Sequence, residues 1–183
     1  IKIDPTNSEI WLNLARSLAH KKEFKEAQVS YIRHIELSPN SSTGFCELAS
    51  VFNASGNFAS AVKAAESATT LNPESAKAYN SLGVAEFSLG NLENARRSFF
   101  TAHKINQDDH QISANLSSVY YAQGFHVKAI KILEDIVKKD PKNKFVILTL
   151  GIYFSEIGEK KKSLYHFKKL LELDEDNIDG YYG

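Results

Sequence analysis

Side chains able to do chemistry are plentiful in this 183-residue chain, but their spacing assembles no reaction centre. Six histidines (His20, His34, His103, His110, His126 and His166) include no pair four residues apart and no HExxH element, so the two-imidazole helix face of a catalytic zinc site is not formed. The sole cysteine, Cys46, can build neither a thiolate cluster nor an internal disulfide, and no neighbour would activate it as a nucleophile. Serine, histidine and aspartate all occur, yet no nucleophile elbow places them as a triad, and no glycine-rich loop is spaced to cradle a phosphate. Asn40-Ser41-Ser42 and Asn53-Ala54-Ser55 fit the glycosylation acceptor pattern, which matters only in a secreted chain. We therefore expect no catalytic residue, no metal site and no cofactor.

Charge points the same way. Lys plus Arg and Asp plus Glu both total 22, which leaves no electrostatic footprint for nucleic acid or for an anionic membrane. The Lys160-Lys161-Lys162 run is expected to be a solvated helix face. No stretch approaches the run of about 18 apolar residues that crosses a bilayer, so membrane insertion is not expected. A single cysteine fits a reducing compartment such as the cytoplasm.

What organises the chain is a period of 34 residues. Pro5, Pro39 and Pro73 fall on it, and Pro141 lies two periods beyond Pro73. So do Leu14, Leu48, Leu82, Leu116 and Leu150, then Ala15, Ala49, Gly83, Ser117 and Gly151. Gly56, Gly90, Gly124 and Gly158 keep the same step, as do Ala27, Ala61, Ala95, Ala129 and Ser163. Such self-similarity marks a repeat array, in which each unit buries its apolar face on its neighbours.

Within a unit, apolar residues at helical spacing (Trp11, Leu14, Ala15, Leu18) predict a first helix with one packing stripe. The periodic glycines end that helix by taking a left-handed conformation, and Lys22, which holds this place in the first unit, predicts a strained turn there. Second helices follow, from Phe24 to Leu37 and from Leu92 to Ile105 for instance, with the periodic alanines where the two helices must approach closely. Proline stops the second helix. Where Gln107 and Glu175 replace it, Asp108-Asp109 and Asp176-Asn177 are expected to form the boundary, and Thr6-Asn7-Ser8 and Asn40-Ser41-Ser42 supply N-caps.

With Trp11, Leu14-Ala15, Ala27, Tyr31 and Pro39 in the first unit, Phe45, Leu48-Ala49, Phe52, Ala61 and Pro73 in the second, and Tyr79, Leu82-Gly83, Ala95 and Phe99 in the third, the chain resembles the tetratricopeptide repeat family. Glu86 departs from the pattern where an aromatic is usual. The resemblance implies an all-α, right-handed superhelical solenoid of antiparallel helix pairs. It implies one array over 1–183, with full repeats 8–41, 42–75, 76–109, 110–143 and 144–177 and partial repeats 1–7 and 178–183. The two fragments match the end of one unit and the opening of another, with Tyr181 in the aromatic slot, so repeats are expected to continue on both sides in a longer parent.

The resemblance further implies that first helices line a concave groove. Carried over by register, the groove residues are Asn13, Arg16, Glu47, Lys77, Asn80, Val84, Phe87, Asn115, Tyr121, Phe145, Leu148 and Ile152, with Leu12 and His20 beside them. The first two units give a polar and charged groove. The last three give an apolar strip of Phe87, Tyr121, Phe145, Leu148 and Ile152, expected to receive an extended peptide or amphipathic helix of a partner protein. A clamp for acidic chaperone tails is not expected, because of Leu12, Arg16, Glu47, Lys77 and Ser81 at the clamp positions only Lys77 agrees, and Glu47 would repel a carboxylate. Asn13 and Asn115 keep only part of the asparagine ladder found in the O-linked sugar transferases. The expected role is a non-catalytic protein-interaction scaffold. The alternatives are the substrate-recruiting arm of a multidomain enzyme such as a glycosyltransferase, and a homo-oligomer formed through uncapped terminal repeats.

Overall fold

The computed structural model describes residues 6–182, with side chains over 6–173. Among the described residues every regular element is a helix. They are α1 (Ser8–His20), α2 (Phe24–Leu37), α3 (Ser42–Ala54), α4 (Phe58–Leu71), α5 (Ala76–Ser88), α6 (Leu92–Ile105), α7 (His110–Ala122), α8 (His126–Lys139), α9 (Lys144–Glu156) and α10 (Lys160–Tyr182). The chain is an all-α helical-repeat solenoid, as its periodicity requires. It divides into two compact units, Ile1–Asp108 and Asp109–Gly183. In the first, each of α1 to α5 packs on the helix that follows it, and α3 also packs on α5. In the second, α7 packs on α8, α8 on α9 and α9 on α10.

Boundaries follow the local chemistry. Asn7 Oδ1 accepts from the Glu9 N–H at 3.0 Å, Ser41 Oγ from Gly44 N–H at 3.0 Å, and Asp109 Oδ1 from Gln111 and Ile112 N–H at 2.9 and 3.1 Å. Each supplies an acceptor to a helix N-terminus that has donors and no intrahelical partner. The Asp109 cap replaces the missing proline at Gln107. At Glu175 the outcome differs from expectation: α10 continues unbroken through Asp176-Asn177 to Tyr182. A carboxylate and an amide inside a helix do not forbid the next turn as proline does.

The first-helix turns end in the left-handed region, with φ of 77° at Gly56 and 81° at Gly90. Lys22 takes the same conformation at φ 62° despite its Cβ. Such a residue is disfavoured by about 1–2 kcal/mol, so Lys22→Gly is expected to raise stability by about 1 kcal/mol, read as a later urea midpoint.

Ala27, Ala61, Ala95 and Ala129 are fully buried, as their place between paired helices demands. Ser163 holds that slot in the fifth repeat, and its hydroxyl donates to the Gly151 carbonyl at 2.9 Å. Glu86, in the aromatic slot, is buried and accepts from the Asn91 amide at 2.6 Å, which answers the departure with a hydrogen bond.

One part of the first helix reads differently from the periodic stripe. Leu12, expected on the groove, is 5% exposed, and Leu14, expected in the stripe, is 42% exposed. Leu14 keeps the register of Leu48, Leu116 and Leu150, all buried, but it lies on the outer face of the first repeat.

Candidate partner-binding site

In the first unit the predicted groove residues come from α1, α3 and α5, the first helices of three consecutive repeats. Arg16, Glu47 and Lys77, one from each helix, line one open cleft of about 310 Å3, with Tyr31, His20 and Ser50 around them. The centre is fixed by a hydrogen-bonded ion pair. Arg16 Nε donates to Glu47 Oε2 at 2.8 Å and Arg16 Nη2 to Glu47 Oε1 at 3.0 Å, the two-pronged geometry that a guanidinium forms with a carboxylate. Tyr31 Oη donates to Glu47 Oε2 at 3.1 Å.

Burial by itself would push the Glu47 carboxyl up, but the Arg16 hydrogen bonds and charge, with Lys77 and Tyr31, outweigh it and hold the group below the usual carboxylate range. Burial beside that charge pushes the Tyr31 hydroxyl far above the ordinary tyrosine range. The cleft therefore carries a fixed anion already matched by Arg16, and a second cation, Lys77, exposed at its edge. Tyr31 was legible only as a packing aromatic. The available signal is its hydroxyl, since Phe99, Leu133 and Phe167 hold the same register without one.

Of the remaining predicted residues in this unit, Asn13 is exposed on α1, and Asn80, Val84 and Phe87 are half-buried along α5. Ser50 Oγ and Ser81 Oγ meet at 3.2 Å, and Asn53 Nδ2 donates to the Ser81 carbonyl at 2.8 Å, tying α3 to α5 beside the cleft. Cys46 is 4% exposed, and burial pushes its thiol up, so it is not a thiolate at neutral pH.

In the second unit, Asn115 accepts from Gln111 Nε2 at 3.1 Å and is half-buried. Tyr121 is not a free aromatic. Its ring stacks on Tyr153 with centroids 3.6 Å apart and lies 4.4 Å from His126, while burial and a hydrogen bond with Glu156 push its hydroxyl pKa up to about 12. Phe145, Leu148 and Ile152 stand 58, 39 and 41% exposed on α9. Among the described residues, no group of three or more His, Cys, Asp or Glu side chains is gathered as metal ligands would be, and no helix is long and apolar enough to cross a membrane.

Models of the tetratricopeptide repeat match residues 1–29 and 46–110. Anaphase-promoting complex subunit 3 of Schizosaccharomyces pombe is 26% identical over 82% of the chain and 23% of its own length. The human protein O-mannosyl-transferase TMTC3 is 28% identical over 98% of the chain and 20% of its own length. The chain thus spans about a quarter or less of these relatives. The crystal structure of MamA covers 98% of the chain and 99% of that protein, with a TM-score of 0.80 at 23% identity, a likeness of fold alone.

Proposed function

This chain belongs to the tetratricopeptide repeat family and is a protein-interaction repeat scaffold, and from that premise we propose that it grips an extended segment of a partner protein on the first-helix face of the first unit. The observation that supports this reading is the meeting of Arg16, Glu47 and Lys77, from three successive repeats, around one cleft. A ligand lying across it would touch all three repeats at once, and chemistry then selects the segment. Glu47 is satisfied by Arg16 and Tyr31, so it offers little to an incoming cation, whereas the balance of two cations to one anion favours an acidic side chain placed against Lys77. Glu47 stands neutralised, which removes the repulsion that its charge alone would exert on such a group.

The test is a displayed library of random peptides selected on the chain. Enriched peptides are expected to carry an acidic residue and to bind the Lys77→Glu variant at least about tenfold more weakly, while Lys63→Glu on α4 leaves affinity unchanged. Peptides that bind Lys77→Glu as tightly as the parent would remove this cleft as the point of grip.

The similarity to an O-mannosyl-transferase along nearly the whole chain favours a second reading, a repeat arm that recruits substrate for a larger enzyme. A longer parent polypeptide that transfers no sugar with or without residues 1–183 would exclude it.

A further inference from the structure

Charge that balances over the whole chain does not balance within the second unit, and from where the surplus lies we infer that the outer face of α8 and α10 docks on an anionic phospholipid surface. Residues 126–169 hold eleven lysines against five acids, Glu134, Asp135, Asp140, Glu156 and Glu159. The cations of this stretch are all lysines, because the four arginines of the chain, Arg16, Arg33, Arg96 and Arg97, lie in the first unit. An ammonium is a compact point charge with no fork to fit one carboxylate, which suits a diffuse negative surface better than a single acidic side chain.

The surplus gathers toward the start of the second helices. Lys128 and Lys131 on α8 and Lys160, Lys161, Lys162 and Lys168 on α10 are all exposed, and both helices pack on α9. Asp135 is matched by Lys138 at 2.8 Å and Glu159 by Lys162 at 3.6 Å, without cancelling the charge of the others. In the first unit the register of Lys161 and Lys162 holds Lys25 and Glu26, Ala59 and Ser60, and Glu93 and Asn94, so none of those pairs is basic. A helix N-terminus carries partial positive charge and is stabilised by acids, as by Glu26 in α2 and Glu93 in α6. Helices α8 and α10 have no acid in the first turn, and α10 opens on three lysines. Helix stability works against that arrangement, whereas attraction of an anionic surface gains from it.

Apolar side chains are interleaved with these cations. Val127 is 83% exposed, Tyr165 62% and Phe125 49%. No further repeat would cover them, since their registers are exposed in every repeat: Lys25, Ala59, Glu93 and Lys161 for Val127, Val29, Lys63, Arg97 and Lys131 for Tyr165, and Glu23, Asn57, Asn91 and Glu159 for Phe125. The Lys128 Nζ lies 5.2 Å from the Phe125 ring centroid and 5.7 Å from that of Tyr120. A cation carried on an apolar base in this way can reach lipid headgroups while the base meets the acyl boundary. A polyanion in solution offers the charge without that apolar layer. The contact is peripheral and is separate from the cleft of the first unit.

Flotation with phosphatidylcholine vesicles carrying about 30% phosphatidylserine, beside vesicles of phosphatidylcholine alone, tests this. The chain is expected to float with the charged vesicles at about 50 mM salt, to stay behind with the neutral ones, and to be released at about 0.5 M salt. Lys161→Gln together with Lys162→Gln should weaken partition about thirtyfold and Val127→Asp about tenfold, while Lys77→Glu, which alters the cleft, leaves it unchanged. In a second arm, an environment-sensitive dye on Val127→Cys should shift to the blue on charged vesicles, and the same dye on Gln111→Cys of α7 should not. Cys46, 4% exposed, does not compete for the dye. A chain that floats with neither vesicle or equally with both would overturn the inference, as would full binding by the double lysine variant or a shift at position 111 with none at 127. So would capture by polyglutamate or single-stranded RNA without flotation on charged vesicles, which would assign the face to a dissolved polyanion.

Discussion

Gly83→Ser is expected to lower stability by about 3 kcal/mol, the upper end of what overpacking a filled interior costs. A Cβ at Gly83 would lie 2.6 Å from Phe99 Cδ1 and 2.7 Å from Cε1, inside any real contact distance. Phe99 is 2% exposed, so its ring has no room to withdraw. The same pair recurs at Gly151, where the Cβ would lie 2.7 Å from the Phe167 ring. Other repeats fill this space by a different division of volume, with Ala49 against Ala65 and Ser117 against Leu133. Ser117 also donates to the Ala129 carbonyl at 2.9 Å, so a hydroxyl in this slot can be satisfied. Copying the fourth repeat with Gly83→Ser and Phe99→Leu together should therefore recover most of the loss. Urea unfolding of the parent, both single variants and the double variant gives the coupling directly, and a double variant no better than Gly83→Ser would reject the volume exchange.

Glu47→Ala is expected to cost about 2 kcal/mol, because it leaves the Tyr31 hydroxyl and the inner edge of Arg16 without their acceptor. The figure is held down by the Arg16 side chain, which is 41% exposed and recovers part of its hydration. The same group predicts a pH dependence of known sign. Its folded pKa lies below the unfolded one, so its contribution is full above the ordinary carboxylate pKa and is lost as pH falls through the depressed folded value. The parent should lose stability on acidification below about pH 4.5 more steeply than Glu47→Ala does. Parallel acid slopes for the two would separate the Arg16–Glu47 pair from stability.

The repeat and its helix boundaries were legible because they depend on residues that act locally: the caps Asn7, Ser41 and Asp109, the left-handed turns at Gly56 and Gly90, and the small alanines between paired helices. What a period cannot carry is the identity of the neighbour that covers a given face. Leu14 and Leu48 are the same residue in the same register, yet one is 42% exposed and the other is buried. Tyr121 looked free because its partners Tyr153 and His126 lie 32 residues ahead in the next repeat and 5 ahead in the next helix, distances that the repeat comb does not join. The Arg16–Glu47 pair was missed for a different cause. The two residues stand 31 apart on adjacent repeats, not at the 34-residue step, so the period does not pair them.

The claim on which the functional reading depends is that a partner lies along the first-helix face of the first unit. Its most direct test places a photo-cross-linking amino acid at Lys77 in one chain and at Lys63 in another, with the selected peptide bound, and locates the adducts by mass spectrometry. Cross-links from position 77 that map to the acidic part of the peptide, with none from position 63, are the predicted result. Adducts formed from position 63 and absent from position 77 would contradict it.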